Sequence, residues 1–287
     1  MTRAFWFTRI WPASYMRWLQ VKLLVGIKML LAFDIGNTHT VVGLFKKEKL
    51  VNHWRLASER ARTEDELAVL LHHFFEHAKI DLSSIYGVCI SSVVPDLTEV
   101  YQYFARRYLN YEPLIVDATI DLGMKVLYKN PAAVGADRLC NAVAGISKYG
   151  KPCIVVDFGT ATTIDCIDAD GNYEGGIISP GIVTSIEALH LKAAKLPRVN
   201  FEFPEKMIGQ TTEESIQSGI FWGSVFLIEG FVKKLKDELG KKTVVVATGG
   251  LAKKIVEYTE VIDYVDQYLN LEGMYLIYQR NRKSRQL

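Results

Sequence analysis

"LLAFDIGNTHTVVGLF", residues Leu30 to Phe45, sets apolar runs on either side of Asp34, Gly36, Asn37 and Thr38. Two apolar runs flanking a short polar stretch read as buried strands joined by a turn. An ordinary turn has no need of a carboxylate at the end of a buried strand. The arrangement returns at "CIVVDFGTATTIDCI", Cys153 to Ile167. Asp34 matches Asp157, Gly36 matches Gly159 and Thr40 matches Thr163, all at an offset of 123 residues. One such turn is an ordinary hairpin. Two at equivalent places indicate a duplicated structural unit rather than a short-period repeat.

Around these turns the chain follows one pattern twice. "LLAFD", "TVVGLF" and "LVNHWRL" read as three strands, followed by a helix at "TEDELAVLLHHFFEHAKI" with Thr63 and Glu66 at capping-box spacing. Leu67, Leu70, Leu71, Phe74 and Phe75 fill one face of that helix. A strand at "YGVCISSVVP", a helix over Leu97 to Tyr108 and a strand at "EPLIVD" complete the first unit. The second restarts with strand, turn, strand, the tight turn "DADGN", and a strand into "EGGII". Helices are expected near Thr184–Lys195 and over Thr212–Leu239, the latter capped by Thr211 and Glu214 and stopped by Gly240. "TVVVATGG" is a strand running into paired glycines, and "LAKKIVEYT" is a helix. The boundary falls in 131–150, in a segment helical from Gly135 onward, and is set at 140/141. The expected division is residues 1–28 outside the fold, 29–140 as the first domain and 141–287 as the second.

At 287 residues, 49% hydrophobic and 23% charged, the chain is long enough for two domains with sizeable cores. A net charge of +2 gives no basic field for nucleic acid, and no run of about 18 apolar residues predicts a membrane span. Cys89, Cys140, Cys153 and Cys166 form no CxxC pair, and read as reduced core residues of a cytoplasmic protein. Residues 1–28 carry five basic and no acidic residues, with Trp6, Trp11 and Trp18. The segment reads as an extension ahead of Met29, with a misplaced start codon or peripheral membrane contact as its two explanations. "YQRNRKSRQL" at the end reads as a solvated, frayed tail. His72, His73 and His77 share a helix without acidic or thiol ligands nearby, and read as solvent-facing.

The doubled turn has a physical use. Glycine permits φ > 0 and close approach to a bulky anion, and successive backbone N–H groups cradle one. Asn37, Thr38, Thr160, Thr162 and Thr163 add neutral donors. Asp34 cannot meet a phosphate directly, so a cation must sit between them, Mg²⁺ through water being the usual one. Two turns facing across a cleft would clamp a nucleotide's phosphates, leaving "ATGG", Ala247–Gly250, for base and sugar or as a plain helix-entry loop. Asp137 in "GADR" is the best candidate for a general base, flanked by small residues and by the cationic Arg138; a surface ion pair or helix cap is the alternative. His39 either touches the ligand or finishes the hairpin tip.

"DIGNTHTV", "NPAAVGADR", "DFGTATT", "EGGIISPG", "AKLP" and "TGG", in that order, resemble the type III pantothenate kinases, within the superfamily of acetate and sugar kinases, Hsp70 and actin. The resemblance runs from Met29 to about Tyr278. It implies an α/β fold of two RNase H-like (actin-like) domains, each a mixed five-stranded sheet flanked by helices, with an interdomain cleft. It implies phosphorylation of pantothenate by ATP, the first step towards coenzyme A, by a homodimer with pantothenate bound near the interface. By resemblance, Asp34, Ile35, Gly36, Asn37, Thr38, His39, Thr40, Val41 and Thr160 bind ATP, and Asp137 is the base. Tyr128, Gly135, Ala136, Asp137, Arg138 and Thr212 line the pantothenate site, and Asp157 holds a monovalent cation, K⁺ or NH₄⁺. Residue types alone leave Thr212 as a helix cap and Tyr128 as a packing residue. Two other readings compete. A regulatory protein on this fold should lack the base, and an RNase H-like nuclease should carry a tight acidic cluster and a basic face.

Overall fold

The computed structural model describes residues 28–193 and 195–282. Residues 1–27 of the expected extension, Ala194 of "AKLP" and residues 283–287 of the expected tail lie outside the described residues.

Each unit is built on a five-stranded mixed sheet. The first contains β1 (Met29–Ile35), β2 (His39–Lys46), β3 (Lys49–Ala57), β4 (Ile85–Ser92) and β5 (Leu114–Ile115), in the order β3-β2-β1-β4-β5. The second contains β6 (Cys153–Phe158), β7 (Ala161–Ile167), β8 (Tyr173–Pro180), β9 (Val244–Thr248) and β10 (Tyr264–Val265), in the order β10-β9-β6-β7-β8. β1 runs antiparallel to β2 and parallel to β4, as β6 does with β7 and β9. The duplication read from the two turns is therefore a duplication of topology. The hairpins differ by one residue, however. Ile35 pairs with Thr40, whereas Phe158 pairs with Thr162. Thr162, not Thr163, is thus the counterpart of Thr40, because the second turn is one residue shorter.

The helices are α1 (Glu64–His77), α2 (Pro95–Leu109), α3 (Ala136–Tyr149), α4 (Ile182–Lys192), α5 (Thr212–Leu239), α6 (Ala252–Val256) and α7 (Leu269–Asn281). Both expected capping boxes form, at Thr63/Glu66 and Thr211/Glu214. Strand alternation divides each sheet between two cores. Leu31, Phe33 and Ile35 of β1 face an outer core covered by α1 and α2. Ile154, Val156 and Phe158 of β6 face a second outer core under α5. Leu30 and Ala32, with Cys153 and Val155, point the other way into one shared core that also holds Leu139, Cys140, Val143, Leu269, Met274 and Ile277 of α3 and α7. Helices α3 and α7 therefore lie between the sheets and join the two units.

That inner layer is packed on glycines. A Cβ at Gly273 would stand 2.0 Å from the Cys140 carbonyl oxygen, so α7 crosses α3 backbone to backbone. Tyr278 fills the space over Gly87 of β4, and Leu271 the space over Gly43 of β2. Helix α7 was not legible as a separate element, and here the tail expectation fails. Tyr278 to Asn281 belong to α7, and Tyr278 and Asn281 are buried, because the helix closes the shared core instead of ending in solvent. β5 is two residues rather than the six of "EPLIVD", since it pairs only with Cys89 and Ile90. All four cysteines are buried free thiols, and His72, His73 and His77 are exposed. Among the described residues α5 alone is long and apolar enough to cross a membrane by length and composition. Its Ile216, Phe221, Val225, Ile228 and Val232 are packed in the second outer core, the setting of a core helix.

The α3–α7 crossing makes a direct prediction. Gly273→Ala should cost about 2–3 kcal/mol, because the clash is with backbone that no rotamer change relieves. The thermal midpoint should fall by about 5–10 °C. An unchanged midpoint would mean that the helices do not approach this closely.

Candidate functional site

The β1–β2 and β6–β7 turns meet. Thr38 Oγ1 and Thr160 Oγ1 are 3.3 Å apart, although 122 residues separate them in sequence. Each turn is closed by its glycine N–H, from Gly36 to the His39 carbonyl at 3.1 Å and from Gly159 to the Ala161 carbonyl at 3.1 Å. Neither glycine has a positive φ, so the expected conformational reason for them does not hold. Space at Gly36 is tight instead, since a Cβ would lie 3.0 Å from the His39 carbonyl oxygen. The first turn is braced by Ser58, whose hydroxyl donates to the Gly36 carbonyl at 2.6 Å and lies 3.0 Å from Thr40 Oγ1. The second is braced by Thr184, which donates to the Thr160 carbonyl at 2.7 Å. Gly181 packs on the same carbonyl with no room for a side chain.

Asn37, Thr38, His39 and Thr160 are exposed at this junction. Ile35 is fully buried in an outer core and Thr40 is buried against Ser58, so their side chains are not presented to a ligand. Val41 packs against the shared core. His39 Nδ1 accepts from Arg55 at 2.9 Å; burial and the Arg55 charge lower its pKa, keeping the ring neutral.

Three half-buried carboxylates converge behind the turns, one from each strand end and one from α3. Asp34 is pushed up to about 8 by burial and by the charges of Asp137 and Asp157. Asp157 is pushed up to about 6 by burial and by Asp137, against a hydrogen bond from Asn141. Asp137 is raised by burial, with the N–H and charge of Arg138 opposing. Asp137 stands in the first turn of α3, where the backbone dipole favours a carboxylate. Gly135 precedes it because a Cβ there would lie 2.5 Å from Asp137 Oδ1. Ala136 is buried in the shared core. One helical turn on, Asn141 Nδ2 donates to Asp157 Oδ2 at 3.0 Å, which ties α3 to the second unit. The "TGG" loop closes on the same carboxylate. Gly249, at φ +90°, leaves no room for a Cβ, which would stand 2.5 Å from Asp157 Oδ1.

Arg138 is buried rather than free. Asp165, fully buried on β7, accepts from its Nε at 2.7 Å, and Tyr173 donates to the same Asp165 oxygen at 2.7 Å. Tyr128 borders this group, its ring 3.3 Å from where a Gly175 Cβ would stand. Thr212 lies elsewhere. It lines a shallow apolar groove of about 280 Å³ between α4 and α5, with Leu189, Leu196 and Gly219. The structure thus gathers Asp34, Asn37, Thr38, Asp137, Asp157 and Thr160, sets Arg138 and Tyr128 beside them, and leaves Thr212 apart.

Asn141, Asp165, Tyr173 and Ser58 were missed by sequence reasoning. Two carried a signal: Asn141 is four residues after Asp137 on one helix face, and Asp165 is a carboxylate inside an apolar strand. Among the described residues no group of three or more His, Cys, Asp or Glu side chains is placed to grip a metal directly. The carboxylates nevertheless suit cations: each has its charge disfavoured, and the buried Oδ1 of Asn141 has no hydrogen-bond partner.

Comparison with known proteins identifies the family. A protein of Exiguobacterium sp. described as type III pantothenate kinase is 46% identical over 255 residues, covering 89% of this chain and 100% of that one. A Bacillus cytotoxicus protein of the same description is 45% identical over 253 residues, covering 88% and 97%. Among solved structures, a Baf family transcriptional activator from Campylobacter jejuni shares the fold with a TM-score of 0.56 at 21% identity, covering 88% and 99%. Component A of (R)-2-hydroxyglutaryl-CoA dehydratase from Acidaminococcus fermentans does so with a TM-score of 0.50 at 12% identity, covering 88% and 98%. The sequence model of type III pantothenate kinase matches residues 30–234, and with the relatives above it makes this chain a member of the type III pantothenate kinase family.

Proposed function

We propose that the chain is a catalytically competent member of its family, transferring the γ-phosphoryl group of ATP to the primary hydroxyl of pantothenate with Asp137 as general base. The observation that carries this is the 3.3 Å contact between Thr38 and Thr160, with Asp34, Asp137 and Asp157 converging behind it. Phosphoryl transfer needs the phosphates held, the charge neutralised and the hydroxyl aimed in line. Backbone N–H groups of the two turns, with Asn37, Thr38 and Thr160, hold the phosphates. Asp137 accepts the hydroxyl proton, and burial makes it a stronger base than a surface aspartate. Arg138 and Tyr128 bind the acceptor.

Asp34 has its anionic form strongly disfavoured, which a magnesium-bearing triphosphate would reverse. Mg²⁺ would be held by Asp34 through water, and K⁺ or NH₄⁺ by Asp157 with Asn141. These cations supply charge neutralisation of the phosphates. The four buried thiols fit a reducing, cytoplasmic setting.

A homodimer would use α5. Gly219, Gly223, Phe226 and Gly230 form one exposed stripe, and nothing lies within 4 Å of a Cβ at any of these three glycines. Small residues at this spacing admit a second helix closely, and Phe226, 52% exposed, is an apolar knob for it. Thr212 borders the same groove, so a dimer built here would set it at the interface, where the resemblance puts pantothenate.

Three outcomes follow. In an ADP-release assay, turnover should require ATP, Mg²⁺ and pantothenate and should rise with K⁺ or NH₄⁺. Asp137→Asn should lose about 10²–10⁴-fold in kcat while still binding ATP. Full activity in that variant removes the base assignment, and ATP binding without turnover by the parent protein points to a regulatory role. Second, Asp34 binds a proton in the native state that the unfolded chain releases above its ordinary 3.8, up to a folded pKa of about 8. Its contribution to stability is therefore full at acid pH and is lost as pH rises through that window. Asp34→Asn should raise the thermal midpoint of the ligand-free protein, by about 5 °C at pH 8 and by less at pH 4.5. An equal gain at both pH values would refute the shift. Third, Phe226→Asp should sediment as a monomer where the parent chain sediments as a dimer.

A further inference from the structure

Arg138 adjoins the proposed base, and under the reading above it is the cation that meets the acceptor. A free arginine there would sample many rotamers and compete for the Asp137 carboxylate. The fold removes both freedoms. Asp165 Oδ1 lies 2.7 Å from Nε and 2.7 Å from Nη2 of Arg138, so one carboxylate oxygen straddles one edge of the guanidinium. The Tyr173 hydroxyl donates to that same oxygen at 2.7 Å and fixes it. Asp165 and Gly176 are register partners on β7 and β8. A Cβ at Gly176 would lie 1.9 Å from the Ile164 carbonyl oxygen and 2.7 Å from Nη2, so the close strand backbone excludes a side chain and the guanidinium occupies the space beside it. The side chains are almost dry, with Arg138 9% and Asp165 0% exposed.

Folding does not call for this arrangement. A buried ion pair loses hydration that its attraction repays only with good geometry, and apolar residues of similar volume often serve stability as well. The pair is also incompletely satisfied: Nε makes the hydrogen bond, whereas Arg138 Nη2 meets Asp165 as an ion pair only, and both Nη2 and Asp165 Oδ2 are buried without a hydrogen-bond partner. Its distinctive product is orientation: the Nε–Nη2 edge is clamped and Nη1 is outside the clamp.

We propose that Asp165 and Tyr173 are positioning residues, holding one edge of Arg138 so that Nη1 is presented in a single orientation to the polar, carboxylate- or amide-bearing part of the acceptor alcohol. This rests on the reading of Arg138 as an acceptor-binding residue. Planar guanidinium recognition depends on direction as well as charge, so the clamp acts on acceptor affinity and in-line aim, not on ATP.

Steady-state kinetics at saturating ATP test it with Arg138→Ala, Asp165→Asn, Tyr173→Phe and the Arg138→Ala/Asp165→Asn double variant. Arg138→Ala should raise the pantothenate KM by about tenfold or more. Asp165→Asn should raise it by about tenfold and Tyr173→Phe by about threefold, with the ATP KM within about twofold of the parent. On the Arg138→Ala background, Asp165→Asn should add less than about twofold, since the residue it positions is gone. An unchanged pantothenate KM in Arg138→Ala overturns the reading of Arg138 and the clamp with it. A large effect of Arg138→Ala overturns the clamp alone if Asp165→Asn and Tyr173→Phe leave that KM unchanged. The clamp also falls if both substrates' KM values rise together, or if the double variant's loss is the product of the single losses. Should Asp165→Asn not fold, Tyr173→Phe decides by the same KM split.

Discussion

The close crossing of α3 and α7 between the two sheets is the constraint on which the rest of the molecule depends. Gly273 lets the helices touch backbone to backbone, and each helix also grips a sheet: α3 through Gly145 against Val155, and α7 through Tyr278 over Gly87. Both sheets send alternate strand residues into this one core. The separation of the two hairpin turns is therefore set by close packing and not by a linker. An interior of this density transmits small volume changes instead of absorbing them. That is how Thr38 and Thr160 come within 3.3 Å from separate sheets.

The same helix that fixes the turns also carries the proposed base. Asp137 and Asn141 lie one turn apart at the N-terminal end of α3. The carboxylates they join cannot all be comfortably charged. Asp34, pushed up to about 8, and Asp157, pushed up to about 6, hold electrostatic strain that a cationic partner relieves. Functional sites often give up stability in this way, and the three apolar cores around this candidate site supply the margin.

Duplication has not produced two equal halves. The β1–β2 turn is braced from within its own sheet by Ser58 at the end of β3, whereas the β6–β7 turn is braced by Gly181 and Thr184 at the start of α4. The second turn is also a residue shorter. Each carboxylate has a different neighbour as a result: Asn141 and the Gly249 loop close on Asp157. One topology thus gives two environments, in keeping with different tasks for Asp34 and Asp157.

Local pattern determined much of this protein. Apolar runs broken by Asp-x-Gly gave both central hairpins, and capping boxes at Thr63/Glu66 and Thr211/Glu214 gave the starts of α1 and α5, because such signals act within a few residues. Asp34, Asp137 and Asp157 were legible as a set because each is a carboxylate at a strand end or helix start among small residues. The burial of Arg138 was not legible, since Asp165 is 27 residues away and reaches it only where α3 packs against β7. Nor was helix α7, whose polar and apolar residues show no clear stripe because it is contacted on several sides in the shared core. The reason for Gly36 was misread as well, because the turn keeps its φ negative and brings the His39 carbonyl against it, a backbone path that residue types do not specify. What the sequence alone decided was which residues could do the chemistry. Which of them meet, which are already engaged and how far their charges are disfavoured depended on the distances that packing sets between segments remote in the chain.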